Sequence, residues 1–255
     1  LTGKGIEWGG SLFRPEATGY GAAYFVEEML NINNDGLAGK IVVISGFGNV
    51  AWGVSRKMSQ LGAKVVTLSG PDGYIYDPDG VIGGKIDYML EMRASNRDQV
   101  KDYADKFSVR FFQHEKPWSV KGDIVMPCAT ENEIDVEDAK KVIANKVKYV
   151  AEVANMPTTI EATKLLLENN VMVGPSKAVN AGGVAVSGLE MSQNSMRMAW
   201  TGEEVDRRLK TIMKNIFASC HNTAEEYDLS GNLVVGANIA GFIKVADATL
   251  DQGLV

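Results

Sequence analysis

The stretch Lys40-Ile41-Val42-Val43-Ile44-Ser45-Gly46-Phe47-Gly48-Asn49-Val50-Ala51 decides the fold. Its first part is a short β-branched run, which reads as a buried strand. A glycine turn follows, then a helix over about residues 49–61. Gly46-Phe47-Gly48-Asn49-Val50-Ala51 fits the pattern G-x-G-x-x-G/A. That pattern is weak alone and useful between a strand and a helix. Gly46 allows the tight turn, Gly48 lets a pyrophosphate approach the backbone, and Ala51 keeps the helix close to the sheet. The N–H groups of Asn49 and Val50 would then face the phosphates, with the helix dipole behind them. The bland alternative is a glycine-rich turn with no ligand.

Working outward, Gly62 closes that helix and residues 64–68 read as the next strand. An acid that bonds the adenosine ribose is expected roughly 20 residues beyond the turn. The chain there reads Leu68-Ser69-Gly70-Pro71-Asp72, so Asp72 is the first carboxylate. No Arg or Lys follows nearby to hold a 2′-phosphate. This favours NAD over NADP, with Asp72 repelling the extra phosphate. A simple turn role for Asp72 in Pro-Asp-Gly fits either coenzyme.

The alternation continues in both directions. Arg14-Pro15-Glu16 opens a helix, with Pro in the first turn and Glu16 at the positive end of the dipole. Helices are expected over residues 81–93, 97–107, 136–145 and 158–169. Strands are expected over 109–112, 123–127, 149–153 and 171–173. Helices then run over about 181–200, 203–227 and 236–252. This interleaving predicts an α/β fold: a doubly wound, mostly parallel dinucleotide-binding sheet, helices on both faces, and a helical C-terminal extension. Residues 1–231 form the dinucleotide-binding domain in this reading, and residues 232–255 a separate C-terminal helical segment.

Three further segments follow strands and would line one cleft, as ligand sites do in open α/β sheets. They are Pro127-Cys128-Ala129-Thr130, Asn155-Met156-Pro157 and Asn180-Ala181-Gly182-Gly183-Val184. Asn180 is placed to cap the helix behind it. Each segment alone is more often a loop or a cap. Cys128 has no histidine in its motif, and only His114 and His221 exist in the chain, so neither a His-based triad nor a metal site is expected. Met191, Met196 and Met198 read as helix packing.

Composition narrows the classes. The 255 residues carry 26 Lys+Arg against 32 Asp+Glu, a net charge of −6 that disfavours nucleic-acid binding. The fractions of hydrophobic (45%) and charged (23%) residues are globular. No stretch reads as the ~20 apolar residues of a membrane span, and no membrane partner is expected. Two cysteines make no disulfide scaffold, which fits a reducing, cytoplasmic setting. The chain opens Leu1-Thr2-Gly3 with neither Met nor signal segment, which suggests part of a longer polypeptide.

The run from Lys4 to Gly21, containing Gly9-Gly10-Ser11-Leu12-Phe13-Arg14-Pro15-Glu16-Ala17-Thr18-Gly19-Tyr20, resembles the opening of the nucleotide-binding domain of hexameric bacterial-type glutamate dehydrogenases. Residues 46–53, 127–130, 155–159 and 176–191 continue the likeness, and Gly236-Ala237-Asn238-Ile239-Ala240-Gly241-Phe242 completes it. Residues 69–76 are most similar to NAD-preferring clostridial-type members. The resemblance implies a dinucleotide surrounded by Thr18, Asn49, Val50, Ala129, Thr130, Asn155 and Asn180, with Arg14 ordering the nicotinamide side. It implies Thr2, Val184 and Ser187 on the glutamate side, Ser187 bonding the distal carboxylate. It also implies one reversed strand in the sheet, and a chain after about Asn232 that packs on another domain. The family's catalytic Lys and Asp lie in an N-terminal domain whose motifs are absent here, so no catalytic residue is assigned and the chain alone is expected to be inactive. The implied ligands are the nicotinamide dinucleotide and, in the whole enzyme, L-glutamate and 2-oxoglutarate. The whole enzyme would be a homohexamer and this chain a monomer. The alternatives are a stand-alone or engineered dinucleotide-binding module, or the cofactor domain of a leucine, phenylalanine or valine dehydrogenase. Ser187 argues against the last, because a polar group is wasted on an apolar substrate side chain.

Overall fold

The structure, a computed structural model, describes residues 1–253. Helix α1 (Ala17–Asn31) follows Arg14-Pro15-Glu16 and is apolar nearly all round, so it is buried along most of its length. Then come β1 (Ile41–Ile44), α2 (Asn49–Gln60) and β2 (Lys64–Val65). Strands β3 (Thr67–Gly70) and β4 (Gly73–Tyr76) form a hairpin, followed by α3 (Gly84–Ala94), α4 (Lys101–Phe107) and β5 (Arg110–Gln113). The remaining alternation is β6 (Ile124–Met126), α5 (Val136–Ala144), β7 (Tyr149–Ala151), α6 (Ile160–Glu168) and β8 (Met172–Gly174). A short α7 (Ser176–Val179) leads to α8 (Gly182–Met196), α9 (Gly202–Glu226) and α10 (Leu233–Gln252).

The main sheet is five-stranded and parallel, in the order β2-β1-β6-β7-β8. Its strands alternate between two cores, as period-2 side chains must. Val42 and Ile44 enter one core with residues of α1 and α2, while Val43 enters the other with Val125, Val150 and side chains of α5 and α6. Helices therefore cover both faces. The strand order reverses between β1 and β6, and the crevice beyond their carboxyl ends is where open α/β sheets bind ligands.

Three expectations need correction. Residues 64–68 are not one strand. Val66 still donates to Val42 O (3.0 Å), but at Thr67 the chain leaves the main sheet and pairs antiparallel with β4. The side chain of Thr67 fixes the departure: its Oγ1 accepts from Ile44 N (2.9 Å) and donates to Ile44 O (2.8 Å). Secondly, Arg110–Gln113 does not join the main sheet. It pairs antiparallel with β4 in a separate three-stranded sheet, β3-β4-β5. The reversed strand that the resemblance implied for the main sheet thus lies outside it. Thirdly, Met191, Met196 and Met198 are exposed rather than packed.

The expected C-terminal helix is present, but the expectation that no stretch is apolar enough to span a membrane fails on it. By length and composition α10 is long and apolar enough to cross a membrane, with a mean hydropathy of 1.5. Its start is locked on α9: a Cβ on Gly236 would lie 2.0 Å from Cys220 O, so only glycine permits the contact. Beyond that contact, Phe242, Val245 and Leu250 are exposed. Burying such a side chain is worth about 1.5–3 kcal/mol, so this face gains from any surface that covers it.

Candidate functional site

The glycine turn stands at the carboxyl end of β1. Gly46 has φ +77°, and a Cβ there would sit 3.2 Å from Cys128 O, so the turn itself requires glycine. Gly48 differs. Its φ is −75°, and an added Cβ would meet nothing within 4 Å. Neither backbone strain nor packing demands glycine at this position. Among the described residues, no hydrogen bond uses the N–H groups of Asn49 and Val50, and no side chain caps α2. They are the orphan donors every uncapped helix start leaves.

The neighbouring strand ends are stitched to this turn. Ser69 Oγ, at the tip of β3, accepts from Gly46 N at 2.9 Å. Ser45 Oγ accepts from Cys128 N at 2.8 Å, which joins the end of β1 to the loop after β6. Cys128 is buried, and burial, with the charge of Glu133, pushes its thiol well above the ordinary value. It stays a neutral thiol and is no nucleophile at neutral pH.

Two hollows open on either side of the turn. The first, about 780 Å³, lies between the turn, the tip of β3 and the end of α3. The second, about 720 Å³, lies between Arg14 and Thr18 at the start of α1, the ends of β6 and β7, and the start of α8. Ala129 and Thr130 line both, so the two adjoin at the loop after β6.

The sequence-predicted residues divide accordingly. Gly46 and Gly48 line the first hollow. Arg14, Thr18, Val50, Asn155, Asn180, Val184 and Ser187 line the second. Asn49 stands above the first, where its Oδ1 accepts from Arg93 Nη1. Asn180 does not cap α8; its Nδ2 donates to Asn155 Oδ1 at 2.7 Å and leaves the helix start without a side-chain cap. Ser187 Oγ, buried, accepts from Arg14 Nε (2.9 Å) and from Thr2 Oγ1 (3.1 Å). Asp72 lines neither hollow. Its two carboxylate oxygens accept from Val100 N and Lys101 N, each at 2.9 Å, at the start of α4. Its carboxylate is occupied with local structure, a task the turn reading of Pro-Asp-Gly had left open.

Several site residues escaped the sequence reading. Glu133 Oε1 accepts from Ala129 N (3.1 Å) and Thr130 N (3.3 Å), so the amides of the loop after β6 are already satisfied from within. Burial raises the Glu133 pKa, partly offset by the Ser45 hydroxyl, those two amides and Lys116. Arg93 and Lys116 bring positive charge to the first hollow from positions far from β3 in sequence. Lys116 is held by Asp138 Oδ2 (2.7 Å) and Glu133 O (2.9 Å). Glu190, fully buried, accepts from Gly3 N (2.8 Å) and pairs with Lys4, fastening residues 1–4 to α8. Burial pushes its pKa up, but Lys4 and the backbone amides outweigh that and hold it low. No cluster of His, Cys, Asp and Glu able to hold a metal ion occurs among the described residues.

Residues 9–253 match the model of the glutamate/leucine/phenylalanine/valine dehydrogenase family. The chain belongs to that family. It is 61% identical, over its whole length, to the NAD-specific glutamate dehydrogenase of Clostridium symbiosum, and 53% identical to the NADP-specific glutamate dehydrogenase of Haemophilus influenzae. In each case it covers 57% of the relative. Among solved structures, a glutamate dehydrogenase superposes with a TM-score of 0.98 at 61% identity, 57% of that chain being covered. Glutamate dehydrogenase 2 of Plasmodium falciparum does so with a TM-score of 0.96 at 50% identity, over 99% of this chain and 56% of that one. The chain therefore spans little more than half the length of the relatives it matches.

Proposed function

We propose that this chain is the coenzyme-binding part of a glutamate dehydrogenase that takes NAD in preference to NADP. The whole enzyme would interconvert L-glutamate with 2-oxoglutarate and ammonium. Gly48 is the observation that carries the reading. It has open space where a side chain would stand and ordinary φ, beside two unused amides at the start of α2. In a strand–turn–helix unit of this pattern the second glycine is small so that a pyrophosphate can approach the backbone. The bound coenzyme supplies the hydride acceptor; the protein binds and orients.

In this reading the amides of Asn49 and Val50 hold the diphosphate. The adenosine half lies in the first hollow, near the tip of β3, and the nicotinamide half in the second. Ser187 serves the substrate. Its hydroxyl already accepts two hydrogen bonds, so its own proton is free to donate to a distal carboxylate oxygen. Arg14 and Thr2 fix that hydroxyl in place. The catalytic Lys and Asp come from the part of the enzyme outside this chain, so the chain alone turns over no glutamate. The segment from Asn232, of which residues 254–255 lie outside the described residues, packs on that part through α10, whose exposed apolar face supports this. Assembly of a homohexamer proceeds through it too, in the cytoplasm, and this chain alone is a monomer.

Preference for NAD is supported by the identity with NAD-specific relatives and by the pairing of Lys116 with Asp138, which offsets one of the two cations of the first hollow, Arg93 being the other. The test is Gly48→Val. We expect a folded variant, destabilised by no more than about 1 kcal/mol at this N-cap because a Cβ there meets nothing within 4 Å, and at least tenfold weaker NADH binding by energy transfer from Trp52 and the other tryptophans. Equal NADH affinity in a folded variant would remove the reading.

A further inference from the structure

Resting on that reading of the cleft, we infer that Glu131 tunes the second hollow to favour the oxidised coenzyme over the reduced one. The tip of the second strand marks the adenosine ribose in dinucleotide folds. Here that tip belongs to the first hollow, so the nicotinamide ring falls in the second. Among the described residues, the charged side chains lining the second hollow are Arg14 and Glu131. Arg14 is held in place by Ser187 Oγ, which leaves its positive charge in the hollow and unable to attract a cationic ring. Glu131 is exposed, and no hydrogen bond or ion pair among the described residues engages its carboxylate.

Its backbone, by contrast, is held on both sides. Thr130 N donates to Glu133 Oε1, and Asn132 N donates to Met156 O at 2.9 Å. A free carboxylate on a fixed loop is thus presented to the hollow. The oxidised nicotinamide ring carries a positive charge and the reduced ring carries none; the rest of the molecule is the same. Glu131 therefore attracts one form and is indifferent to the other. Glu133, two residues on, lines the first hollow and spends its carboxylate on two backbone amides, so it does not supply this discrimination.

The experiment is calorimetric titration of NAD⁺ and NADH into the 255-residue chain, into Glu131→Gln, and into Glu137→Gln, a change on an exposed helix face outside both hollows. For a partly solvated charge pair, Glu131→Gln is expected to weaken NAD⁺ by about three- to tenfold and leave NADH within about twofold. Glu137→Gln is expected to leave the ratio of the two dissociation constants unchanged. An unchanged ratio in Glu131→Gln, or equal weakening of both coenzymes, overturns the inference while leaving the cleft assignment standing. If neither coenzyme binds the parent chain, the cleft assignment fails and this inference fails with it.

Discussion

At the scale of single residues, Asp72 shows how one carboxylate bears on two properties. Sequence position suggested a coenzyme discriminator; the structure gives both its oxygens to the amides that start α4. We predict that Asp72→Lys shifts preference towards NADP, by removing a negative charge near the first hollow, and lowers stability by about 1 kcal/mol through the lost cap. Denaturant unfolding beside NADH and NADPH titrations separates the two effects; an unchanged coenzyme ratio would assign Asp72 to structure alone. Glu133 was not legible in advance, because a lone acid before a helix looks like any polar loop residue. Only the folded chain brings it to the amides of Ala129 and Thr130. Its pKa is raised by burial above the ordinary value of 4.5. A raised folded pKa means stability that is complete below the unfolded value and is lost as pH rises through the folded one. Glu152, also raised by burial, contributes with the same sign. Glu133→Gln should therefore flatten, without abolishing, the decline of unfolding free energy above pH 4.5. An identical pH profile in the variant would contradict that assignment.

Among the elements, those with a strong local signal were readable. The β1–turn–α2 unit lies where its β-branched run and paired glycines put it, α1 begins just after Arg14-Pro15-Glu16, and α5, α6 and α9 fall within the residues read as helical. The hairpin was not readable. Gly73-Tyr74-Ile75-Tyr76 is too short and too close to the Pro-Asp-Gly turn to stand out as a strand, and its pairing is settled by distant Arg110–Gln113. Likewise, nothing local says that the run after Gly62 must divide between two sheets. The division is made by Thr67, whose hydroxyl substitutes for a strand partner at Ile44. Thr67→Val keeps the shape and removes both hydrogen bonds, leaving a buried N–H and C=O unsatisfied. We predict a loss of about 2–4 kcal/mol in unfolding free energy, by denaturant titration. A loss below about 0.5 kcal/mol would mean that the bend is set by the hairpin rather than by this side chain.

On the scale of the molecule, the two sheets make the cleft. The parallel sheet supplies the reversal of strand order between β1 and β6, and the small antiparallel sheet walls the first hollow with the tip of β3. The fold class and the position of the turn were legible because they depend on near neighbours in sequence. The wall was not, since Arg93, Lys116 and Glu133 arrive from three separate segments. One contact decides whether this cleft holds a coenzyme, that between its diphosphate and the amides at the start of α2. A crystal structure of the chain grown with saturating NADH measures it directly. We predict diphosphate oxygens at about 2.7–3.2 Å from the nitrogens of Asn49 and Val50, passing over Gly48. Coenzyme bound elsewhere, or a vacant turn at saturating NADH, would contradict the account.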